Sequence, residues 1–422
     1  MRPLPHCVTV SGIQKAEAMT SDTDLTFTTL LTLDEKDNEL ETYVEGNIGE
    51  NTFRSPMKNS LHSVPISGTN DNYRLHVHAA EFGYREYLAL SCGPEGLILN
   101  MERISADKLT WAKDILIEDK SATGKGVRIG IIDCYPPAPP VGLSHVKIAN
   151  WTHARPVENT QFLSHGISVA QIISSRVAGQ PAATSICPDA EVIVFPLYTA
   201  RVNGTDTITQ DAIAGALQAA LDANCDIINM SLGKKPTSNR KLLTNPTKDL
   251  SPFFREIKNA VNQKAILVAA TGNDTGEAVR IPANDSRVVG IGMFGLDEHA
   301  SPNSRPYHGL LNAKCVGDYD RLGNHSLCGK LFSPGAVGPG CDFVFPGCGL
   351  VYVDTRGRMV EITGTSFAAP LATAQIARIL EFSRRSTDQS ATLDESFENT
   401  IGWLTSFGIQ LGNEPWMTTL RL

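Results

Sequence analysis

Three residues far apart in the chain have the types that nucleophilic catalysis requires: Asp133, His165 and Ser366. Ser366 lies in the small-residue stretch Gly-Thr-Ser-Phe-Ala-Ala-Pro, which leads into an alanine-rich apolar segment and predicts a serine at the start of a helix. The unpaired N–H groups and the dipole of a helix start can stabilise the oxyanion that forms when a hydroxyl attacks a carbonyl. A serine there can equally cap the helix for structural reasons alone, so the chemistry depends on its partners.

A serine hydroxyl is a poor nucleophile at neutral pH unless a histidine accepts its proton and a carboxylate orients that histidine. Asp133 ends an apolar run that starts at Val127, which predicts a buried parallel strand with a carboxylate at the edge where open α/β sheets place their sites. His165 opens a stretch with apolar residues at helical spacing, so we expect it at or near a helix N-terminus. A positive helix end disfavours imidazolium, which suits a base that must start neutral.

The chain carries four motifs in one order: Gly-Ile-Ile-Asp133, His165-Gly-x-x-Val-Ala, Ala-Ala-Thr-Gly-Asn273 and Gly-Thr-Ser366-x-Ala-Ala-Pro. Together they resemble the subtilase (subtilisin-like serine protease) family from about residue 109 to residue 380. The order aspartate, histidine, serine is also that of subtilisin, and it differs from the orders in chymotrypsin and the α/β-hydrolases. The resemblance implies a serine endopeptidase, a hydrolase, in which Ser366 attacks, His165 carries the proton, Asp133 orients His165 and an acyl-enzyme forms.

The same resemblance gives further residues a part in the site. It makes the Asn273 side chain an oxyanion-hole donor beside the Ser366 N–H, whereas Asn273 taken alone is better explained as a turn residue after an apolar run. It also makes the segment of Ser231, Leu232 and Gly233 a wall of the primary specificity pocket that pairs with the backbone of an extended polypeptide, with residues 203–209 as the facing segment. Ala270, Thr271 and Gly272 are the other substrate-binding residues that it implies.

Two residues beside this predicted site bear on its chemistry. Asp274 follows Asn273 at a position that in subtilases lies near the mouth of the primary pocket, and a carboxylate there predicts a preference for a basic or polar residue at the cleaved position. Cys134 follows Asp133 where subtilases usually carry a small hydroxyl residue. It is either a thiol that makes activity sensitive to thiol reagents or a buried, inert cysteine, and the second alternative is favoured.

Short apolar runs alternate with helix-period stretches between His165 and Ser366, which is the pattern of a parallel sheet covered by helices. Strands are predicted at 192–195, 227–230, 265–270 and 288–291. The predicted fold class is α/β: a subtilisin-like, mostly parallel sheet with helices on both faces, in a catalytic domain of residues 108–422. Residues 1–107 are rich in short β-forming runs and predict a β-rich N-terminal domain.

The role of residues 1–107 has two open alternatives. Subtilases often carry a propeptide that chaperones folding and then plugs the cleft, and this region is long enough to be an inhibitory pro-region of that kind. Such propeptides usually mix helices with a sheet. The mostly β pattern therefore slightly favours a retained accessory domain that docks a partner or supports oligomerisation.

Composition excludes several classes of partner for this chain of 422 residues. A net charge of −8, a pI near 5.7 and the lack of a basic stripe argue against a nucleic-acid surface. No run of eighteen apolar residues is present, which argues against a membrane span. The first residues have no apolar core of the kind that a secretory signal needs, so a cytoplasmic location is expected.

Most of the nine cysteines are scattered, which fits reduced thiols better than a disulfide framework. Four fall in one Gly-rich stretch and could be free thiols, the favoured alternative, or form one or two disulfides, or hold a metal: Cys315, Cys328, Cys341 and Cys348. Their spacing lacks the close ligand pairs of structural zinc, so no metal site is predicted. The predicted chemistry requires no cofactor. A structural calcium ion is compatible with the resemblance, but no feature of the sequence marks its ligands.

The alternative from another functional class is a catalytically silent binding or scaffold protein that kept the subtilase fold and docks partners through residues 1–107. The presence of Asp133, His165 and Ser366 counts against it. Within the enzyme class two uses remain open, namely maturation or processing of one specific partner and regulated degradation.

Overall fold

The computed structural model describes the following residues: 17–18, 27–33, 36–48, 51–54, 58–65, 73–79, 83–88, 97–101, 103–104, 111–113, 115–116, 121–140, 142–152, 160–176, 185–198, 200–202, 205–236, 252–296, 314–319, 329–353, 358–386, 402, 404–406, 408–410 and 418–420. The chain divides into two compact units. The first consists of Met1–Ser105, Ser301–His308 and Arg358–Glu361. The second consists of Ala106–Ala300, Gly309–Gly357 and Ile362–Leu422.

The first unit is built from short strands. They are β1 (Glu17–Ala18), β2 (Phe27–Leu33), β3 (Tyr43–Ile48), β4 (Asn51–Arg54), β5 (Leu61–Pro65), β6 (Tyr73–Ala79), β7 (Gly83–Leu88) and β8 (Leu97–Asn100). Strands β1, β4, β3, β6 and β7 pair in that order, all antiparallel, and β2 pairs with β5 and β8 in a second sheet. Strand β21 (Met359–Ile362) adds to β7 in parallel. The limits and the role of an N-terminal domain at 1–107 stay a prediction.

A mostly parallel sheet forms the centre of the second unit. Its strands are β9 (Arg128–Asp133), β10 (Lys147–Ile148), β11 (Glu191–Pro196), β14 (Ile227–Met230), β15 (Ile266–Ala270), β16 (Val289–Leu296) and β19 (Phe343–Pro346). They pair in the order β10, β11, β9, β14, β15, β16 and β19, and every one of these pairs is parallel. The inner strands are apolar and buried along nearly their whole length, as strands covered on both faces must be.

The remaining strands of this unit are short or lie at the margins. They are β12 (Ala200–Val202), β13 (Thr205–Thr207), β17 (Lys314–Tyr319), β18 (Gly329–Ser333), β20 (Leu350–Val353), β22 (Gly408–Gln410) and β23 (Thr418–Leu420). β17 and β18 form an antiparallel ribbon that joins the end of β16, and β12 with β13 and β22 with β23 form two-stranded ribbons.

Helices cover both faces of the central sheet, which confirms the predicted fold class. They are α1 (Thr160–Ser174), α2 (Gln210–Asp222), α3 (Pro252–Asn262) and α4 (Thr365–Ser386). α1 packs against α4, and α4 lies along β14, β15 and β16, whereas α2 and α3 pack together over β9, β11 and β15. None of the described helices is both long enough and apolar enough to cross a membrane.

The C-terminal half of α4 is hydrogen-bonded to the segment that leads into β9. The Glu381 carboxylate is 2% exposed and accepts hydrogen bonds from the backbone N–H groups of Thr123, at 2.6 Å, and Gly124, at 2.7 Å. Beside it the fully buried Arg378 guanidinium donates to the Ala122 carbonyl oxygen at 2.9 Å. A buried charge is tolerated only with such partners, so these contacts fix the strand that ends in Asp133 relative to the helix that carries Ser366.

Candidate active site

Asp133 is the last residue of β9 and lies at the C-terminal edge of the parallel sheet. Its residue surface is 5% exposed, and its Oδ1 accepts a hydrogen bond from the Cys134 N–H at 2.7 Å. This bond to the following residue holds the carboxylate in one orientation. The aspartate therefore stands where the strand pattern predicts, buried and aimed at the edge where sheet loops gather.

His165 contacts this carboxylate from α1. Its Nδ1 lies 3.1 Å from Oδ1 of Asp133, within a hydrogen bond, and 3.0 Å from Oδ2. The prediction that His165 stands at or near a helix N-terminus is wrong, because α1 begins at Thr160 and places His165 in its second turn. The dipole of a helix acts mainly within its first turn, so it does not account for the electrostatics of His165.

The electrostatics of His165 come from its burial and from Asp133. The imidazole is 28% exposed, and burial opposes its charged form, but the charge of Asp133 and the hydrogen bond to it outweigh burial and raise the His165 pKa above 6.5. A carboxylate that accepts from Nδ1 also fixes the neutral tautomer in which Nε2 carries the lone pair. The arrangement therefore makes Nε2 a stronger proton acceptor than an ordinary histidine.

Gly166 permits the close approach of α1 to Asp133. A Cβ atom at this position would lie 1.8 Å from the Cys134 carbonyl oxygen and 3.4 Å from Oδ1 of Asp133. No side chain fits in this space, because the obstacle is backbone rather than a movable side chain. The glycine in the histidine motif is thus a steric requirement of the Asp133–His165 contact.

Ser366 is the second residue of α4, as the motif predicts. Its hydroxyl donates to the Ser231 carbonyl oxygen at 3.2 Å, and the Ser231 hydroxyl donates to the Ser366 carbonyl oxygen at 2.8 Å. The second bond has a local cause: the residue four positions on is Pro370, which has no N–H to offer that carbonyl. Ser231 thus replaces a hydrogen bond that the helix cannot make.

Ser366 and His165 belong to neighbouring segments, although the structure shows no hydrogen bond between these two described residues. The ring of Phe367, next to Ser366, packs against the His165 imidazole with centroids 5.5 Å apart. Ser366 contacts Ser231, which follows β14, and β14 pairs with β9, the strand that ends in Asp133. Ser366, His165 and Asp133 therefore lie along one edge of the sheet. Catalytic hydrogen bonds are often long or misaligned without substrate, and rotation of the serine side chain is enough to redirect its hydroxyl.

Asn273 follows β15 and is fixed against the start of α4. Its Oδ1 accepts from the Thr365 N–H at 2.8 Å and lies 3.0 Å from the Thr365 hydroxyl, which accepts from the Gly272 N–H at 3.1 Å. Because the amide oxygen must face the N–H donor, the Nδ2 group is the end that points away from Thr365 and can donate. A Cβ atom at Gly364 would lie 3.5 Å from Nδ2, so this donor borders the turn that contains Ser366.

The two predicted substrate-binding segments, residues 231–233 and 270–272, follow neighbouring strands and both touch the start of α4, and we call them the wall segments. Ser231 contacts Ser366 directly, while Gly272 reaches Thr365 through its N–H. Leu232 is half-buried against the core, Ala270 ends β15, and the Thr271 carbonyl oxygen accepts from the Arg280 N–H at 2.9 Å. The structure therefore brings all ten sequence-predicted site residues to one edge of the sheet. The functional roles of these residues remain proposals.

Asp274 does not offer an unpaired carboxylate. Its Oδ2 lies 2.5 Å from the Arg280 guanidinium and 3.7 Å from the Lys235 ammonium. The prediction of a basic preference assumed a free negative charge at this position, and the ion pairs remove that assumption.

The described cysteine side chains are buried. Cys134 is 3% exposed, and burial, aided by the charge of Asp133, raises its pKa to about 12, which favours the inert alternative. Cys341 and Cys348 are buried and are not disulfide-bonded, whereas the side chains of Cys315 and Cys328 lie outside the described residues. The described residues contain no group of three His, Cys, Asp or Glu side chains that could hold a metal ion.

A model of the subtilase family matches residues 124–409, about two thirds of the chain. The chain belongs to the subtilase family. The resemblance drawn from four motifs is therefore confirmed, and so are the predicted enzyme class, serine protease and hydrolase, at the level of the family. This membership covers the whole central sheet and helix α4, and it leaves residues 1–123 outside the match.

Individual relatives of this subtilase are distant. The chain is 27% identical over 225 residues to tripeptidyl-peptidase 2 of Arabidopsis thaliana, which covers 51% of this chain and 15% of that protein. It is 23% identical over 244 residues to the thermophilic serine proteinase of Bacillus sp. strain AK1, which covers 58% of this chain and 49% of that protein. The chain thus spans half or less of the length of these two relatives. The patellamide maturation protease PatA is 19% identical, with a TM-score of 0.47 over 69% of this chain and 89% of that one.

Sequence reasoning missed three residues of this subtilase site. Thr365 sits inside the quoted serine motif, yet only the structure shows that it orients Asn273. Phe367 lies in the same motif and packs on His165. Arg280 lies in no motif. No pattern in the sequence indicates that its side chain passes close to Gly233 and Gly272.

Proposed function

We propose that this subtilase is a serine endopeptidase that cleaves extended polypeptides through Ser366, His165 and Asp133. The observation that carries the proposal is the buried Asp133 carboxylate within 3.0 Å of His165 Nδ1, on the sheet edge that also holds the Ser366 helix start. A buried carboxylate and an adjoining histidine beside a serine is the arrangement that activates a hydroxyl at neutral pH.

The proposed reaction begins when the Ser366 hydroxyl rotates from Ser231 to His165. His165 Nε2 takes the proton while Oγ bonds to the substrate carbonyl carbon, and the carbonyl electron pair moves to the oxygen. The Asn273 Nδ2 group and the Ser366 N–H donate to that oxyanion. The oxyanion then collapses and breaks the C–N bond, and the leaving amine takes the proton from His165. Water, deprotonated by His165, releases the acyl group in the same way, so the reaction needs no metal or cofactor as a reactant.

A fluorophosphonate probe tests the proposal directly, because it phosphonylates only a serine whose base and oxyanion donors are assembled. We expect one probe per chain on the wild-type protein, measured by intact mass, and none on Ser366→Ala. The mass of the labelled species also shows whether residues 1–107 have been removed, which separates an inhibitory pro-region from a retained accessory domain. A folded wild-type protein that stays unlabelled at full mass, and also after removal of residues 1–107, would establish the scaffold alternative instead.

Replacing Asn273 should slow turnover without weakening substrate binding. We expect Asn273→Ala to lower kcat by about two to three powers of ten with little change in KM, because its amide donates to charge that exists only in the transition state. Asn273→Asp keeps the oxygen that accepts from Thr365 but removes the N–H donor, so its kcat should fall as far as that of Asn273→Ala. Asn259→Ala, which removes an amide on α3, is the matched control and should retain activity. An unchanged kcat with a raised KM would contradict this role.

Processing of one specific partner is a finer proposal within this function. It is favoured if the labelled enzyme cuts few proteins at few sites, and regulated degradation is favoured if it cuts many. The cytoplasmic location also stays a prediction.

A further inference from the structure

The two wall segments separate just beside Ser366 and leave a gap between them. Their strands, β14 and β15, pair through Met230 and Ala269, but beyond this pair each segment turns to another partner. The Thr271 N–H donates a hydrogen bond to the Ile291 carbonyl oxygen. Lys234 and Ile281 exchange two backbone N–H to carbonyl hydrogen bonds of 2.9 and 3.0 Å. The chain at 280–281 thus crosses between the walls and closes the far end of the gap.

The side chain of Arg280 lies between the two walls. A Cβ atom at Gly233 would lie 2.9 Å from the Arg280 Cβ, and a Cβ atom at Gly272 would lie 2.8 Å from the Arg280 Cδ and Nε. Both walls therefore need a glycine where the arginine passes. The Arg280 backbone N–H donates a hydrogen bond to the Thr271 carbonyl oxygen, which fixes the main chain from which this side chain extends.

The charge inside the gap differs from the charge at its rim. The Arg280 side chain is 28% exposed, while that of Asp274, its partner, is 41% exposed. Lys235 is more exposed still, and it contacts both Asp274, at 3.7 Å, and Glu277, at 2.8 Å. The two carboxylates and the lysine lie toward solvent, and the guanidinium is the charged group that lies deepest between the walls.

We infer that Arg280 selects substrates with an acidic side chain on the residue whose carbonyl Ser366 attacks. This inference rests on the proposed function. The side chain of that residue is attached to the Cα atom, which is bonded to the attacked carbonyl carbon. The gap beside Ser366 is therefore the space nearest to this side chain. A glutamate entering the gap can take the place of Asp274 on the guanidinium in a two-point contact. Asp274 can then move to Lys235, which it already approaches.

The same geometry disfavours other side chains. A lysine or arginine would bring a like charge toward Arg280, which costs binding energy in a partly buried site. A phenylalanine would place an apolar ring against the Arg280 guanidinium, which would lose contact with water and with Asp274 without gaining a new ion pair. A small residue such as alanine fits but gains no ion pair.

Kinetics with four peptides that differ only at the cleaved residue test the inference. For the wild-type protein, kcat/KM should be highest with Glu, lower with Ala, and lower by about a hundredfold or more with Lys and Phe. Arg280→Met keeps the bulk and removes the charge, so the Glu over Lys ratio should fall by at least tenfold. Arg280→Ala should lose the same preference and also accept Phe. Arg255→Ala removes an exposed arginine on α3 and should leave every ratio unchanged.

Two results would overturn the inference. One is a wild-type enzyme that cleaves the Ala peptide at least as well as the Glu peptide, which would mean that the Arg280–Asp274 pair stays closed. The other is a Glu over Lys ratio that survives in Arg280→Met. If no peptide is cleaved, the proposed function fails separately, and the inference is then decided by binding of fluorescent, uncleaved peptides to Ser366→Ala protein. Tighter binding of the Glu peptide that disappears on adding Arg280→Met supports it, and equal binding of the Glu and Lys peptides overturns it.

Discussion

Replacing Asp133 with asparagine should lower kcat by about four powers of ten in a protein that remains folded. The amide can turn its NH₂ group toward His165 Nδ1, now 3.0–3.1 Å from the carboxylate oxygens. Nδ1 would then accept a hydrogen bond, and the ring proton would move to Nε2. A histidine in that tautomer has no lone pair facing Ser366 and cannot take its proton.

The pH dependence gives this prediction a second measurement. Asp133 raises the His165 pKa above 6.5, and the base works only when neutral, so wild-type kcat/KM should fall as pH drops through a pKa higher than 6.5. In Asp133→Asn, burial still lowers the His165 pKa, but the negative charge that raised it is gone. The acid limb of the residual activity should therefore move to lower pH.

A matched control separates this effect from general damage by the substitution. Asp342 is a second aspartate, which is half-buried and accepts from the Gly290 N–H at 2.8 Å, and burial raises its pKa to about 6. Asp342→Asn should therefore keep kcat within a few-fold of wild type. If Asp133→Asn also stays within tenfold of wild type and its acid limb does not move, then Asp133 does not act on His165 as proposed.

Adding one methyl group at Gly166 should be nearly as damaging as removing the carboxylate. The new Cβ would lie 1.8 Å from the Cys134 carbonyl oxygen, so α1 must retreat from β9 by more than an ångström. A displacement of that size costs about a hundredfold in activity where reacting groups are aligned, and here it moves His165 away from both Asp133 and Ser366. We therefore expect Gly166→Ala to lose at least that much kcat/KM.

Overpacking should also lower the stability of Gly166→Ala, by about 1 to 3 kcal/mol or more, measured by thermal or denaturant unfolding. Ser164→Ala on the same helix changes an exposed side chain and should leave both activity and stability near wild type. Full activity of Gly166→Ala would show that α1 and the loop after β9 can separate freely, contrary to the contact described.

The central sheet could be predicted because its signal is local. The strand at Ile227–Met230 has the predicted bounds, and β9 ends at Asp133 as expected, since buried parallel strands are continuous apolar runs. Positions of catalytic type at the ends of such runs are visible without a structure. The same logic could find Asn273, which lies three residues after the end of β15.

The start of α1 is hard to predict because its first residues make few apolar contacts. Phe162 is 48% exposed and Ser164 is exposed. Leu163 is therefore the one residue before Ile167 that packs against the core among the described side chains of this helix. The pattern therefore placed the helix start too late and gave His165 the wrong electrostatic neighbour. A helix dipole would lower the His165 pKa, whereas the Asp133 carboxylate raises it.

Arg280 shows a different limit of the sequence. Its position depends on how two strands diverge after Met230 and Ala270 and on a backbone segment that crosses between them. None of these events has a local pattern, and a glycine in each wall gives no hint of which side chain it accommodates. Asp274 was visible at the predicted pocket mouth, but the charge that neutralises it was not.

The bond between Glu381 and Gly124 joins residues 257 positions apart, and it has a consequence for how the protein is made. During synthesis, β9 and α1 leave the ribosome long before the helix that carries Ser366, and that helix is fastened to β9 only after Glu381 has emerged. Contacts between such distant residues form late, because a long loop must close first. If Ser366 is the nucleophile, as proposed, a growing chain contains Asp133 and His165 without it. The proposed active site then assembles only after the chain up to Glu381 has been made.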